Sequence, residues 1–146
     1  MANELRRLTA IVAADVAGYS RLVGRDESGT VGRLGVARSE LLEPVVSRRG
    51  GRIVKLTGDG ALMEFSSAVE ALSAVIEFQQ SMLIAESERP TDERLVFRIG
   101  VHSGDVIVQG GDIYGDGVNI AARLEAEAPP GGVIVSGPIF ERLSGG

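Results

Sequence analysis

The sequence predicts an α+β domain on a ferredoxin-like βαββαβ core, with an antiparallel-type sheet and additional helices. Three observations carry that expectation. Short apolar runs of strand length alternate with longer stretches of helical period. A Thr57-Gly58-Asp59-Gly60 turn joins two of the runs. A capping-box pattern, Ser67-x-x-Glu70, opens the clearest helix.

Each element can be justified in order. Residues 8–14, LTAIVAA, read as a buried strand that Asp15 and Gly18 end. Basic residues precede this run, as in a secretory leader, but Asp15 interrupts it and no small-residue cleavage pattern follows. Over residues 27–48, Val31, Leu34, Leu41, Leu42, Val45 and Val46 share one helical face. Pro44 kinks or ends that helix, and Gly50 and Gly51 stop it. Residues 52–56 and 61–65 form a hairpin with Asp59 at its tip. After Ser67, the residues Ala71, Leu72, Val75, Ile76, Met82 and Leu83 recur at helical spacing. A polar loop with Pro90 follows. Residues 95–101 and 105–109 read as two strands joined through His102-Ser103-Gly104. Residues 116–128 are helical and end at Pro129-Pro130-Gly131-Gly132; a strand at 133–135 and a short helix from Pro138 to Leu143 close the chain.

Composition narrows the function. At 146 residues the chain holds one compact domain. No apolar run approaches the ~20 residues of a membrane span, so membrane insertion by this segment is not expected. Cysteine is absent, which excludes disulfides and thiolate metal sites and fits a cytoplasmic protein. A net charge of −5 argues against a nucleic-acid partner. An acidic protein that binds a polyphosphate needs metal ions or a few placed cations.

Asp15, at a strand end, and Asp59, at a hairpin tip, are hard oxygen ligands. They suit Mg²⁺ or Mn²⁺ if the strands are neighbours, or are turn residues bonding local backbone if not. Lys55 faces the same side as Thr57 on its strand, as a site residue or a surface lysine. Asn119 and Arg123 share a helix face; Arg123 either grips phosphate in two-pronged fashion or pairs with Glu127. Asp112 and Asp116 flank Ile113-Tyr114-Gly115, and Asp116 fits a helix N-cap. The single histidine, His102, has no neighbour to complete a nucleophile–base pair. Neither a Walker loop nor a GxGxxG turn is present.

Taken in order, AIVAADVAGYSRL, GGRIVKLTGDGALMEF, FRIGVHSGDVIV and DIYGDGVNIAARLE resemble the metal motifs, central strands and catalytic helix of the class III nucleotidyl cyclases. The resemblance runs from about residue 8 to 143. It implies an adenylate cyclase of the short-arm subclass that converts ATP to cyclic AMP and pyrophosphate. Asp15 and Asp59 would hold two divalent ions, Lys55 and Asp112 would read the purine, and Asn119 and Arg123 would orient the ribose and stabilise the transition state. Lys55 with Asp112 resembles the ATP-selective members; those that make cyclic GMP typically carry glutamate and a non-acidic residue there. It also implies a homodimer whose two sites each draw residues from both chains, and leaves room for fused or partner regulatory domains. Family domains usually continue through a strand pair bearing a triphosphate-binding lysine. The 146 residues are therefore expected to be one catalytic domain truncated at its C-terminus, folded but weakly active or inactive. Two other readings stand beside this one: a catalytically silent cyclase-like domain that binds nucleotide or regulates a partner, and a diguanylate cyclase, whose GG[DE]EF hairpin is absent.

Overall fold

The computed structural model describes residues 5–144. The apolar run at the start extends into a long strand, β1 (Leu5–Val16), followed by two helices, α1 (Tyr19–Arg25) and α2 (Glu27–Val36). Asp26 separates them and caps α2, its side chain accepting from Gly29 N. The expected helix over 27–48 is therefore not uniform. A π-helical segment, Ala37–Leu42, joins α2 to α3 (Glu43–Arg48), and Pro44 sits in the first turn of α3, where its missing N–H costs little. Strands β2 (Gly51–Thr57) and β3 (Gly60–Phe65) form the expected hairpin. The capping box holds: Ser67 Oγ accepts from Glu70 N at 3.2 Å and opens α4 (Ala68–Ala85).

The next expectation is corrected. Residues 97–109 form one strand, β4, instead of two joined at His102-Ser103-Gly104. Those three residues pair with Ile11, Ala10 and Thr9 of β1 in unbroken antiparallel register, so the ladder needs no turn. Glycine is required at 104 because a Cβ would lie 2.7 Å from His102 Nε2. The turn comes later, at Gly110 and Gly111, both at positive φ, and leads into a strand not expected from the sequence, β5 (Asp112–Tyr114). Helix α5 (Asp116–Glu127), strand β6 (Val133–Val135) and helix α6 (Gly137–Ser144) follow.

The strand order is β2-β3-β1-β4-β5, all antiparallel, with β6 parallel beside the first half of β4. Its first four strands are the ferredoxin-like arrangement that the sequence predicts. No helix among the described residues is long and apolar enough to cross a membrane.

Strand alternation sends side chains into two layers. Val12, Met63, Phe65, Phe97 and Ile99 meet the helical layer, where Phe78 of α4 packs edge-on against Phe97 with centroids 5.0 Å apart. Ile11, Leu62 and Val106 face the other way and are covered by Ala121 of α5. Helix α5 lies so close that a Cβ on Gly100 would sit 2.5 Å from Ala121 O, and one on Gly117 2.8 Å from Asp105 O. That second face carries the candidate site.

Candidate active site

Asp15 follows Ile11 and Ala13 onto the α5 face, directly opposite Arg98 of β4 in the strand register. Both its carboxylate oxygens accept from Arg98, Oδ1 from Nε at 3.0 Å and Oδ2 from Nη2 at 2.7 Å. The pairing raises the Arg98 pKa, the Asp15 hydrogen bond being the largest cause. Asp59 reaches the same corner from the hairpin tip, where its Oδ2 accepts from Val16 N at 3.2 Å. Gly60 permits the approach: a Cβ there would lie 1.9 Å from Ala14 O. Glu125 of α5 completes the corner, 3.5 Å from Arg98 Nη2. Burial first, and the neighbouring Asp15 carboxylate second, push its pKa up to about 7.

Two adjacent hard carboxylates beside an acid that resists ionisation fit a divalent ion whose remaining ligands are water and substrate phosphate. No group of three or more His, Cys, Asp or Glu among the described residues forms a cage on its own. Neither Arg98 nor Glu125 was singled out from the sequence. Arg98 lies 83 positions from Asp15, and only the β1–β4 register brings them together.

Lys55 owes its direction to a β-bulge. The β2–β3 register shifts between Ile53, opposite Met63, and Lys55, opposite Leu62. Met63 packs into the helical layer and Leu62 into the α5 layer, so the extra residue moves Lys55 onto the α5 face. The sheet curls enough for its outer strands to meet: Arg52 Nη2 donates to Gly111 O at 2.9 Å. Lys55 Nζ then donates to Asp112 Oδ2 at 2.9 Å and stands 5.7 Å from the centre of the Tyr114 ring. Lys55 holds the Asp112 carboxyl below its usual range. Lys55 is thus not a lone surface lysine.

Asn119 and Arg123 are exposed on α5 and, with Asp116, Ile120 and Ala122, line an open cleft. Arg123 forms no ion pair with Glu127, the alternative its spacing allowed. Asp116 is not the N-cap: Gly115 holds that position and Asp116 begins the helix. His102 is buried, with Nδ1 2.8 Å from Ser136 Oγ, and burial lowers its pKa.

The candidate residues therefore form three groups within one protomer. Asp15 pairs with Arg98 near the start of β4, whereas Asp112 pairs with Gln109 at its end. Eleven residues of β4 separate those levels.

Comparison with known proteins identifies the family of the fold. Residues 4–145 match the family model of the adenylate and guanylate cyclase catalytic domain. Among curated relatives, putative adenylate cyclase 3 of Rhizobium meliloti (strain 1021) is 50% identical over 140 residues, covering 96% of this chain and 24% of its own length. An adenylate cyclase of Streptomyces coelicolor is 33% identical over 138 residues, covering 94% of this chain and 34% of its own length. This chain thus spans about a quarter to a third of the curated relatives it matches. The crystal structure of an adenylate/guanylate cyclase/hydrolase from Silicibacter pomeroyi superposes with a TM-score of 0.87 at 47% identity, over 94% of this chain and 79% of that one. The guanylyl cyclase Cya2 shares the fold, with a TM-score of 0.83 at 20% identity over 97% of this chain and 80% of that one. The chain belongs to the adenylate and guanylate cyclase catalytic domain family.

Proposed function

We propose that this domain is an adenylate cyclase that converts ATP to 3′,5′-cyclic AMP and pyrophosphate at sites shared between two copies of the chain. The observation that carries the choice of base is the Lys55–Asp112 pair, a donor and an acceptor 2.9 Å apart on one face. Lysine can donate to adenine N1 while the carboxylate accepts from the 6-amino group; guanine presents the opposite pattern at both edges. The names of the Rhizobium and Streptomyces relatives support the same base.

The reaction is an intramolecular displacement in which the ribose 3′-oxygen attacks the α-phosphorus and pyrophosphate leaves. Asp15 and Asp59 would hold two Mg²⁺ or Mn²⁺ ions per site. When bound, such ions neutralise the triphosphate and lower the pKa of the 3′-hydroxyl. The protein's share is positioning and charge. Arg98 fixes the Asp15 carboxylate on both oxygens, so the ligand is oriented before substrate arrives. Asn119 would position the ribose, and Arg123 would grip a phosphate in two-pronged fashion as charge develops.

The division of the site supports a homodimer. The acids and Asp112 lie towards opposite ends of β4, and Asn119 and Arg123 point to solvent. A two-fold partner that lays its α5 across the acids would complete two equivalent sites. The competing reading, a catalytically silent nucleotide-binding or regulatory domain, draws support from one observation: both Asp15 oxygens are already engaged by Arg98. Cyclic AMP formation with Mn²⁺ and ATP, compared with GTP, separates the readings. Turnover of ATP that Asp59→Ala abolishes is expected; nucleotide binding without turnover would establish the silent domain.

A further inference from the structure

Asp59 sits on a four-residue turn, a poor platform for a ligand that must be held precisely. Among the described residues its own side chain makes a single hydrogen bond, accepting from Val16 N. On one flank Gly60 abuts β1, where a Cβ would lie 3.1 Å from Asp15 Cα. On the other flank stands Arg38. Its Nη2 lies 2.6 Å from Thr57 O, 2.6 Å from Gly58 O and 2.8 Å from Gly60 O, so two N–H bonds serve three carbonyls of one turn. Those carbonyls bracket Asp59 on both sides.

Arg38 reaches the turn because of the π-helical segment. Glu43 N donates to Arg38 O, five residues back, and the widened turn lets both Ala37 and Leu42 face the core. Arg38 is thereby left pointing sideways at the hairpin. Its Nε is buried without a hydrogen-bond partner. A buried donor left unpaired is costly, so this arginine is not placed for its own solvation. Among the described residues, every hydrogen bond its guanidinium makes goes to the Asp59 turn.

We propose that Arg38 is the positioning residue of Asp59: it clamps the Thr57–Gly60 turn from the helical layer and fixes the carboxylate beside Asp15 in the ion-free protein. The inference deepens the two-metal reading above and rests on it for its consequence, while the clamp itself can be tested without metal. Guanidinium geometry matters, because an ammonium on a flexible stem cannot serve the three carbonyls with the same planar fork.

The test uses the ¹⁵N-labelled chain. In metal-free protein the Val16 amide, bonded to Asp59, reports where the carboxylate sits. Arg38→Gln is expected to speed exchange of that amide as Asp59→Ala does, while amides in the middle of the β1–β4 ladder keep their protection. Titration with Mn²⁺, followed by its electron spin resonance, is expected to show affinity weakened about 10- to 100-fold, the usual loss when a group supporting a ligand is removed. Arg38→Lys should recover part of both, and it serves alone if Arg38→Gln fails to fold. The double variant Arg38→Gln/Asp59→Ala should bind Mn²⁺ no more weakly than Asp59→Ala. Unchanged Val16 exchange in Arg38→Gln, or in Arg38→Lys where only that variant folds, overturns the proposal, as does a further loss in the double variant. Mn²⁺ affinity that Asp59→Ala leaves intact overturns the two-metal reading instead, and Val16 exchange still decides the clamp.

Discussion

The acid corner and the outer face of α5 are built on opposite plans. At the corner every candidate group is engaged within its own chain: Asp15 by Arg98, Asp59 by Val16 N, and the Asp59 turn by Arg38. On α5, Asn119 and Arg123 stand exposed in an open cleft. Conformational freedom is expensive to remove at the moment of binding. The corner has removed it in advance by folding, whereas α5 leaves its two side chains for whatever docks there. The difference teaches that stability and activity should separate cleanly between the two regions.

The largest expected effect breaks the corner. Asp59→Ala or Asp15→Asn should lower ATP turnover by roughly a thousand-fold or more, since metal-borne charge stabilisation is worth several kcal/mol. Initial rates of cyclic AMP formation check this, and wild-type rates with Mg²⁺ would remove these acids from the site. The next effect joins the two regions. Asp59→Ala chains, inactive alone, and Arg123→Ala chains, slowed about ten- to a hundred-fold alone, should on mixing recover about a quarter of wild-type activity. Half the dimers are then mixed, and each mixed dimer has one intact site. Silence in a mixture shown to contain heterodimers would place all the residues in one protomer.

The contrast sharpens with two arginines. Arg123→Ala should lower turnover by about one to two powers of ten, the worth of one charge-assisted bond to phosphate. It should leave stability within about 0.5 kcal/mol, as at other exposed positions. Arg98→Ala should instead cost about 1–3 kcal/mol in urea unfolding, because it leaves Asp15 half-buried without its partner. Equal melting behaviour in the two variants would erase the distinction between the regions. Base choice comes next: Lys55→Glu with Asp112→Asn should shift the ATP:GTP ratio of kcat/KM about ten-fold or more towards GTP, and an unchanged ratio would free both residues from reading the purine.

The smallest effect is a pH slope. Burial and the Asp15 carboxylate push folded Glu125 up to about 7, from the ordinary 4.5 of the unfolded residue. The folded chain therefore binds more protons in between. Stability from this group is full below about pH 4.5 and is lost as pH rises towards 7. Glu125→Gln should flatten the fall in Tm over that window in metal-free protein; an equally steep fall would assign the slope to other groups.

How legible this was varies with the range of the interaction. The β2–β3 hairpin and α4 were legible because their signals are local: a Gly-Asp-Gly turn and a serine that caps three residues on. So were the ferredoxin-like strand order and the family, through motifs that stand in sequence order. His102-Ser103-Gly104 misled because glycine marks a turn by composition, whereas here it makes room for His102 inside a strand. Arg98 and Glu125 escaped notice because an ion pair 83 positions apart leaves no local periodicity, and Arg38 because a π segment cannot be told from an α-helix by apolar spacing.

The bulge in β2 has a consequence of another kind. Lys55 meets Asp112 because Val54 is taken up as an unpaired residue between the pairs Ile53–Met63 and Lys55–Leu62. Were β2 to pair without the bulge, Val54 would lie opposite Leu62 and Lys55 opposite Ala61, turning Lys55 by one step of the pleat towards the apolar helical layer while every reactive side chain stayed in the chain. A change that straightened this strand with Val54 in place would then aim the lysine away from Asp112 without touching either side chain.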